Sequence, residues 1–272
     1  MAGGARDEGE GVLQRALRLL GAFNEDEIEL SAAQLARRSG LPRSTAHRLA
    51  GELEAIGFLS RTDSGGYAVG TRLWELGELS PLSVRLREGA LPFLERLYEA
   101  SGENVHLAVL DGAGPATAEA LYVARVAGES SIPTLSRMGG RLPLHTTGVG
   151  KALLATRDDV WLDGFFSRAL ERETVFSVTD ERRLRAELAE ARERGYATTR
   201  QEMTLGNISI AAALPGIPGL PQAAVGIVGH IARSDERRLG PLVMRAARDI
   251  AGAVGGPEIA VAPRSRRGAR GR

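Results

Sequence analysis

The stretch SAAQLARRSGLPRSTAHRLAGELEAIGFLSRTDSGGYAVG, residues 31–70, carries the local signals of two short helices and a hairpin. Ser31 is a candidate N-cap for a helix from Ala32 to Arg38, because its side chain can accept a hydrogen bond from a free backbone N–H. Gly40 ends that helix, since glycine turns there without steric strain. Pro42 takes the first position of a second helix, where its missing N–H costs nothing. This order of elements predicts a winged helix-turn-helix, whose second helix fits the DNA major groove.

The second helix, Pro42 to Ile56, has one apolar and one polar face. Its apolar residues recur at steps of three and four, which predicts one buried stripe formed by Ala46, Leu49, Ala50, Leu53 and Ile56. The opposite face is polar and is free to meet DNA. The residues expected to reach base edges are Ser44, His47 and Arg48, and those expected to hold phosphates are Arg43 and Thr45.

A hairpin follows the second helix. Phe58 and Leu59 start a strand, residues 63–66 (DSGG) have turn chemistry, and residues 67–69 return. Arg61 on this wing is expected to contact the DNA backbone or the minor groove. Residues 31–62 hold five arginines against two acids, a local charge of +3 that suits a phosphate-contacting surface. The alternative is an ordinary amphipathic helix pair with a solvated polar face.

Composition narrows the class of protein. The 272 residues are 43% hydrophobic with a net charge of +1, so the chain can bury real cores and is not a general polyanion binder. The absence of cysteine excludes disulfides, thiol catalysis and thiolate metal sites. The first residues, MAGGARDEGEG, lack the apolar core of a signal peptide. The longest apolar region, residues 208–231, is interrupted by three prolines and cannot form a membrane-spanning helix. We therefore expect a cytoplasmic protein with no membrane partner.

Glycine, proline and changes of hydrophobic period divide the chain into five segments. These are a disordered N-terminus (1–10), the winged helix-turn-helix (11–71), a linker helix (72–82), a larger domain (83–256) and a disordered basic tail (257–272). In the larger domain, helical patterns over 83–100, 180–194 and 237–254 flank strand patterns over 104–110, 118–126, 141–145, 196–203, 208–214 and 223–230, and a further helix begins at Gly150. Helical layers around a mostly antiparallel sheet predict an α+β fold. The five arginines of the tail either add DNA affinity or only solubility.

Three further stretches, in this order along the chain, resemble one known family. They are GGYAVGTRLWELG (65–77), LPLHTTGVGKALLA (142–155) and GYATTRQEMTLGNISIAAAL (195–214). Together with the helix-turn-helix they resemble the IclR family of bacterial transcriptional regulators, over nearly the whole chain. The resemblance implies a C-terminal GAF-like effector-binding domain. It also implies homodimers, or dimers of dimers, on palindromic double-stranded operator DNA. The first helix and the linker helix are the expected dimer contacts, because Leu73 and Trp74 would otherwise be exposed.

The resemblance also implies a small-molecule effector site. Family effectors lie against the loop that precedes the helix of residues 148–151, which places Gly148 and Val149 in the site. The free N–H groups of that helix, and Lys151 as the one lysine among 35 basic residues, suit an anionic ligand. A phosphate loop is excluded, since His145 and Ala152 replace its required glycine and hydroxyl residue. The alternative is a tight glycine turn that binds nothing.

Four more site positions follow from the resemblance: Thr199, Ser209, Gly226 and Val228. The sequence departs from the family pattern at all four, and many relatives have a cysteine where Ser209 stands. The small-acid binders have an acid at Thr199 and serines at Gly226 and Val228, so hydroxyl donors are lost here. We expect a less polar pocket, empty volume at Gly226, and an effector with one acidic end and an apolar body. A vestigial pocket is the alternative.

Enzyme hypotheses find little support. His106, His145, His230 and Glu202 could form a metal set, but no helix carries HxxxH or HExxH spacing. No GxSxG elbow and no dinucleotide-binding glycine loop is present. We expect a regulator without a cofactor, metal or catalytic residue. A small-molecule enzyme, or a protein-interaction module built on the helix-turn-helix, remains an alternative.

Overall fold

The computed structural model describes residues 10–24, 27–128 and 134–256, and the chain divides into an N-terminal unit, residues 1–80, and a C-terminal unit, residues 81–272. The elements of the N-terminal unit are α1 (Val12–Leu20), β1 (Glu29–Leu30), α2 (Ala32–Ser39), α3 (Arg43–Ala55), β2 (Leu59–Arg61), β3 (Tyr67–Val69) and α4 (Thr71–Glu78). The three strands form an antiparallel sheet in the order β1-β3-β2. This is the predicted winged helix-turn-helix, with a short strand, β1, added before α2.

Local capping explains the helix-turn-helix geometry. The Ser31 hydroxyl accepts from the N–H of Gln34, and the Gln34 side chain accepts from the N–H of Ser31 at 2.9 Å, so both ends of a capping box are present. Gly40 has φ +66°, the left-handed conformation that ends α2. The predicted place of Pro42 is wrong by one residue. It is extended (ψ 140°) and precedes α3, whose first residue is Arg43.

The core of the N-terminal unit lies under α3 and the wing. Of the predicted stripe, Ala46, Leu49, Ala50 and Leu53 are buried. Ile56 is not buried: it is 59% exposed, because α3 ends at Ala55 and Ile56 turns away from the helical stripe. Tyr67 of β3 and Leu19 of α1 complete the core.

The C-terminal unit contains one six-stranded sheet in which every neighbouring pair is antiparallel, in the order β6-β5-β4-β9-β8-β7. Its strands are β4 (Asn104–Asp111), β5 (Glu119–Val126), β6 (Arg141–Leu142), β7 (Ala197–Arg200), β8 (Asn207–Ala213) and β9 (Ala223–His230). Its helices are α5 (Glu88–Ser101), α6 (Gly148–Leu154), α7 (Asp159–Phe166), α8 (Glu181–Arg194) and α9 (Glu236–Gly255). A π-helical segment, Leu82–Arg87, leads into α5. The α+β fold with a mostly antiparallel sheet is confirmed.

The alternation of β8 separates two cores on the two faces of the sheet. Ile208 and Ile210 face α5 and α9 in one cluster, whereas Ala211 joins the cluster of α6, α7 and α8. Small residues on the second face let α6 approach the strands closely.

Several expected boundaries differ. The predicted helix 83–100 is α-helical only from Glu88, and α5 runs through Pro92. Helix α7, which begins at the N-cap Asp158, was not predicted. The predicted strand 196–203 ends at Arg200, because Gln201 has φ +60°. The basic tail and nearly all of the predicted disordered N-terminus lie outside the described residues. Among the described helices, none combines the length and the apolar character that crossing a membrane requires.

Candidate nucleic-acid interface and ligand cavity

The polar face of α3 is exposed where the sequence predicts DNA contacts. Arg43, Ser44, His47 and Arg48 are exposed, and Thr45 is half-buried. Arg43 and Ser44 form the first turn of α3, where free N–H groups and the helix dipole favour a phosphate. These side chains are placed to form hydrogen bonds with base edges in a DNA groove and with backbone phosphates.

Each of the two arginines expected further along the interface is paired with an acid of α3. The Arg48 guanidinium donates to Glu52 at 2.5 Å, one helical turn later. Arg61 donates to Glu54 at 3.2 Å and to the carbonyl of Gly65 at 3.1 Å, and its guanidinium lies 4.0 Å from the Tyr67 ring centroid. Both ion pairs are solvent-exposed, and neither was predicted from the sequence.

Helices α1 and α4 present large apolar side chains to solvent. On α1 the exposed residues are Val12, Leu13 and Leu17, and on α4 they are Trp74 and Leu76, with Leu79 at its C-cap. Trp74 is 67% exposed, whereas Leu73 is half-buried. Exposed apolar side chains in this number on two short helices are typical of an interface with a partner.

A small cavity of about 40 Å³, partly open to solvent, lies in the C-terminal unit beside the start of α6. Four of the seven residues predicted to bind an effector line it: Gly148, Thr199, Ser209 and Val228. Further lining residues that the sequence did not predict include Tyr122, Ser136, Leu142, Thr146, Glu202 and Ile208. The wall mixes hydroxyl groups with apolar surface, a combination that is typical of ligand pockets.

Val149 and Gly226 pack together instead of lining the cavity. A Cβ at Gly226 would lie 2.8 Å from the Ala211 Cβ and 3.0 Å from Cγ1 of Val149. The expectation of empty volume at Gly226 is therefore wrong, because α6 already fills that space. A Cβ at Gly148 would collide with Ser209, so glycine there lets α6 reach β8.

Lys151 is buried and lies between two carboxylates. Its Nζ donates to Oε2 of Glu187 at 2.6 Å and to Oε1 of Glu202 at 2.7 Å, and the residue is 1% exposed. Lys151 does not line the cavity, and its charge is already balanced within the protein. This differs from the expectation that the ammonium meets the effector. A compact ammonium suits a site between two acids better than a planar guanidinium does.

Glu202 enters the cavity wall from the loop between β7 and β8. The left-handed Gln201 turns the chain, and the Ser177 hydroxyl donates to the Glu202 carbonyl at 2.7 Å. Burial raises the pKa of the Glu202 carboxyl above its usual value, and the Lys151 ammonium opposes that rise. The sequence suggested Glu202 only as a possible metal ligand. Nothing in the residues next to it indicates that it lines a cavity.

The histidines occupy separate environments. His106 Nε2 lies 2.8 Å from the Ser136 hydroxyl, His145 Nε2 lies 2.8 Å from the Glu171 carbonyl, and His230 Nδ1 accepts from the N–H of Ala232. Burial, with a contribution from the Arg125 guanidinium, lowers the pKa of His106 to about 3. No cluster of acids and histidines in the described part of the chain could hold a metal ion.

Two family models match the chain, one over each of its two units. The model of the bacterial transcriptional regulator IclR C-terminal domain matches residues 82–254, and the IclR helix-turn-helix model matches residues 12–63. The chain belongs to the IclR family. As a member of the IclR family it is a DNA-binding transcriptional regulator with a C-terminal effector-binding domain, which confirms the family and fold expected from the sequence.

Relatives in the IclR family are similar along nearly their whole length. The transcriptional repressor IclR of Escherichia coli is 32% identical over 249 residues, covering 90% of each chain. The Pca regulon regulatory protein of Pseudomonas putida is 32% identical, covering 88% of this chain and 82% of that protein. An IclR homolog from Microbacterium hydrocarbonoxydans, solved in complex with 4-hydroxybenzoate, is 32% identical with a TM-score of 0.81, covering 90% of this chain and 99% of that one.

Proposed function

We propose that this regulator binds operator DNA as a homo-oligomer through α3 and the wing, and that a small monocarboxylic acid with an apolar body binds in the cavity. The observation that carries the effector class is the cavity wall, which combines hydroxyl groups with apolar surface. The relatives are regulators, which supports a non-catalytic role. The complex of the Microbacterium homolog with 4-hydroxybenzoate supports an aromatic acid.

The DNA-reading role of Arg48 gives the first prediction. Arg48→Ala is expected to weaken operator binding by about 1–3 kcal/mol, because arginine pairs in bidentate fashion with guanine. Affinity for random DNA should change much less. Fluorescence anisotropy with operator fragments, selected from the native genome, and with scrambled duplexes measures both affinities.

The matched control for Arg48 is Arg245→Ala, which removes the same charge from α9. Arg245 is exposed and pairs one helical turn later with Asp249 at 3.6 Å, as Arg48 does with Glu52. Equal losses on operator and random DNA would make Arg48 a phosphate contact. An operator bound no better than random DNA in the wild type would favour the protein-interaction module.

The exposed apolar residues of α1 and α4 are the proposed dimer contacts. Leu17→Glu or Trp74→Glu is expected to shift the protein toward monomers, because burying an unpaired carboxylate in an apolar interface is costly. Sedimentation velocity over a concentration series measures the shift. Val160→Glu, at an 82% exposed apolar position on α7, is the control. An unchanged assembly in both α1 and α4 variants contradicts this interface.

Aromatic and branched monocarboxylic acids are expected to raise the melting temperature of the C-terminal unit, and small diacids are not. A ligand that binds only the native state at 100 times its Kd adds about 2.7 kcal/mol of stability. A thermal-shift screen measures the effect. Val228→Trp, at a half-buried position in the wall, should fill the cavity and abolish the shift without changing operator binding by the free protein. If no acid binds, the vestigial pocket is the better hypothesis.

A further inference from the structure

Glu202 is the one charged side chain among the described residues that line the cavity. It is 6% exposed, so its carboxylate is largely shielded from bulk solvent. The other polar groups of the wall are neutral hydroxyl and amide groups, such as those of Ser209 and Asn207. An incoming effector therefore meets a single carboxylate, whose charge is partly offset by the Lys151 ammonium at 2.7 Å.

The carboxylate of Glu202 is held from several sides. Gln201, at φ +60°, is fixed by its N–H donating to the Asn207 carbonyl at 2.7 Å and by its side chain accepting from Gly206 at 2.9 Å. A non-glycine residue in the left-handed region carries strain that the surrounding structure must offset, as is common beside functional groups. The loop geometry and the Lys151 contact together leave Glu202 little freedom to turn away.

Glu202 retains unused acceptor capacity. Oε1 accepts a hydrogen bond from Lys151. Among the described residues, the only donor to Oε2 is the N–H of Val178, at a long distance of 3.4 Å. A carboxylate offers about four lone-pair sites. Acceptor capacity on a buried carboxylate in a cavity wall favours a ligand that brings a hydrogen-bond donor.

We propose that Glu202 is the selectivity residue of the cavity: it accepts a hydrogen bond from a hydroxyl or amino group of the effector and excludes a second carboxylate there. Lys151 is a positioning residue that holds the carboxylate in place. The inference rests on the proposed effector function and specifies its substrate class as a hydroxylated or amino-substituted monoacid. Exclusion follows because two anions at close range repel strongly where water is scarce.

The test measures binding of a matched ligand panel to the full chain by isothermal titration calorimetry. The panel is benzoate, its three monohydroxy isomers, its three dicarboxylate counterparts, and phenol and aniline as donors without a carboxylate. At least one hydroxybenzoate should bind about tenfold more tightly than benzoate, as expected for a hydrogen bond to a charged group. The dicarboxylate with the same substitution pattern should bind more weakly than benzoate.

Glu202→Gln should reduce the hydroxyl preference to less than about threefold and admit that dicarboxylate, because a neutral amide neither attracts the donor as strongly nor repels the anion. Glu187→Gln is the matched control. It removes the other carboxylate on Lys151, but Glu187 does not line the cavity. The control variant should retain the wild-type preference, whereas an equal change in both variants would reduce Glu202 to a structural role.

The remaining outcomes separate the two proposals. Equal binding of benzoate and all hydroxybenzoates by the wild-type protein overturns the inference and leaves the acid effector standing. Binding of phenol or aniline that Glu202→Gln weakens, with no acid bound, supports Glu202 and overturns the acid effector. Binding of none of the panel overturns both.

Discussion

Replacing Lys151 by methionine is expected to lower the free energy of unfolding of the C-terminal unit by about 3–5 kcal/mol, the cost of breaking a buried ion pair on one side. Methionine matches the length of lysine, so the loss reports the charge and not a cavity. Glu202, whose side chain is 7% exposed, would keep a buried charge without its cation. Urea denaturation followed by Trp161 fluorescence, in a Trp74→Phe background, measures the change.

Variants of the two glutamates that pair with Lys151 show whether the loss of stability comes from the unpaired charge. Lys151→Met with Glu202→Met removes both buried charges and is expected to recover most of the stability, as paired apolar replacements often do. Glu187→Gln alone should cost much less, since its side chain is 29% exposed and can be hydrated. A single Lys151→Met variant within about 1 kcal/mol of the wild type would show that the ion pair adds little, as for exposed pairs.

The helix-turn-helix could be predicted because its signals are local. The Ser31–Gln34 capping box spans four residues, and the turn at Gly40 depends on one residue. The six-stranded sheet was also accessible from alternation and turn signals, although its strand order is set by contacts that no single segment contains. Helix α7 was missed because its eight residues make only about two turns, too few for a helical period to be recognised.

The ligand cavity was only partly accessible from the sequence. Gly148 and Ser209 were placed through family resemblance, and both line the cavity. The pairing of Lys151 with acids 36 and 51 residues away depends on how α6, α8 and the β7–β8 loop meet. The expectation of empty volume at Gly226 was wrong for the same reason. Val149 and Ala211, which lie elsewhere in the sequence, occupy that volume.

The C-terminal unit is expected to lose about 2–3 kcal/mol of stability through His106 alone when the pH falls from 7 to 4.5, at about 1.36 kcal/mol per pH unit below the usual histidine value. The pKa of His106 is lowered to about 3, because burial disfavours the imidazolium and Arg125 repels it. The unfolded chain binds a proton below pH about 6.5 and the folded chain does not, so stability falls as the pH falls through this window. His106→Gln removes this contribution.

The measurement compares the change in unfolding free energy between pH 7 and pH 4.5 for the two proteins, so that the loss of the 2.8 Å contact with Ser136 cancels. Carboxylates that titrate in the same range contribute equally to both proteins and cancel as well. His47→Gln, which removes an exposed histidine from α3, should leave the pH dependence of the C-terminal unit unchanged. If wild-type and His106→Gln proteins lose the same stability on acidification, His106 takes up a proton in the folded state. The wall around Ser136 would then have to admit an imidazolium.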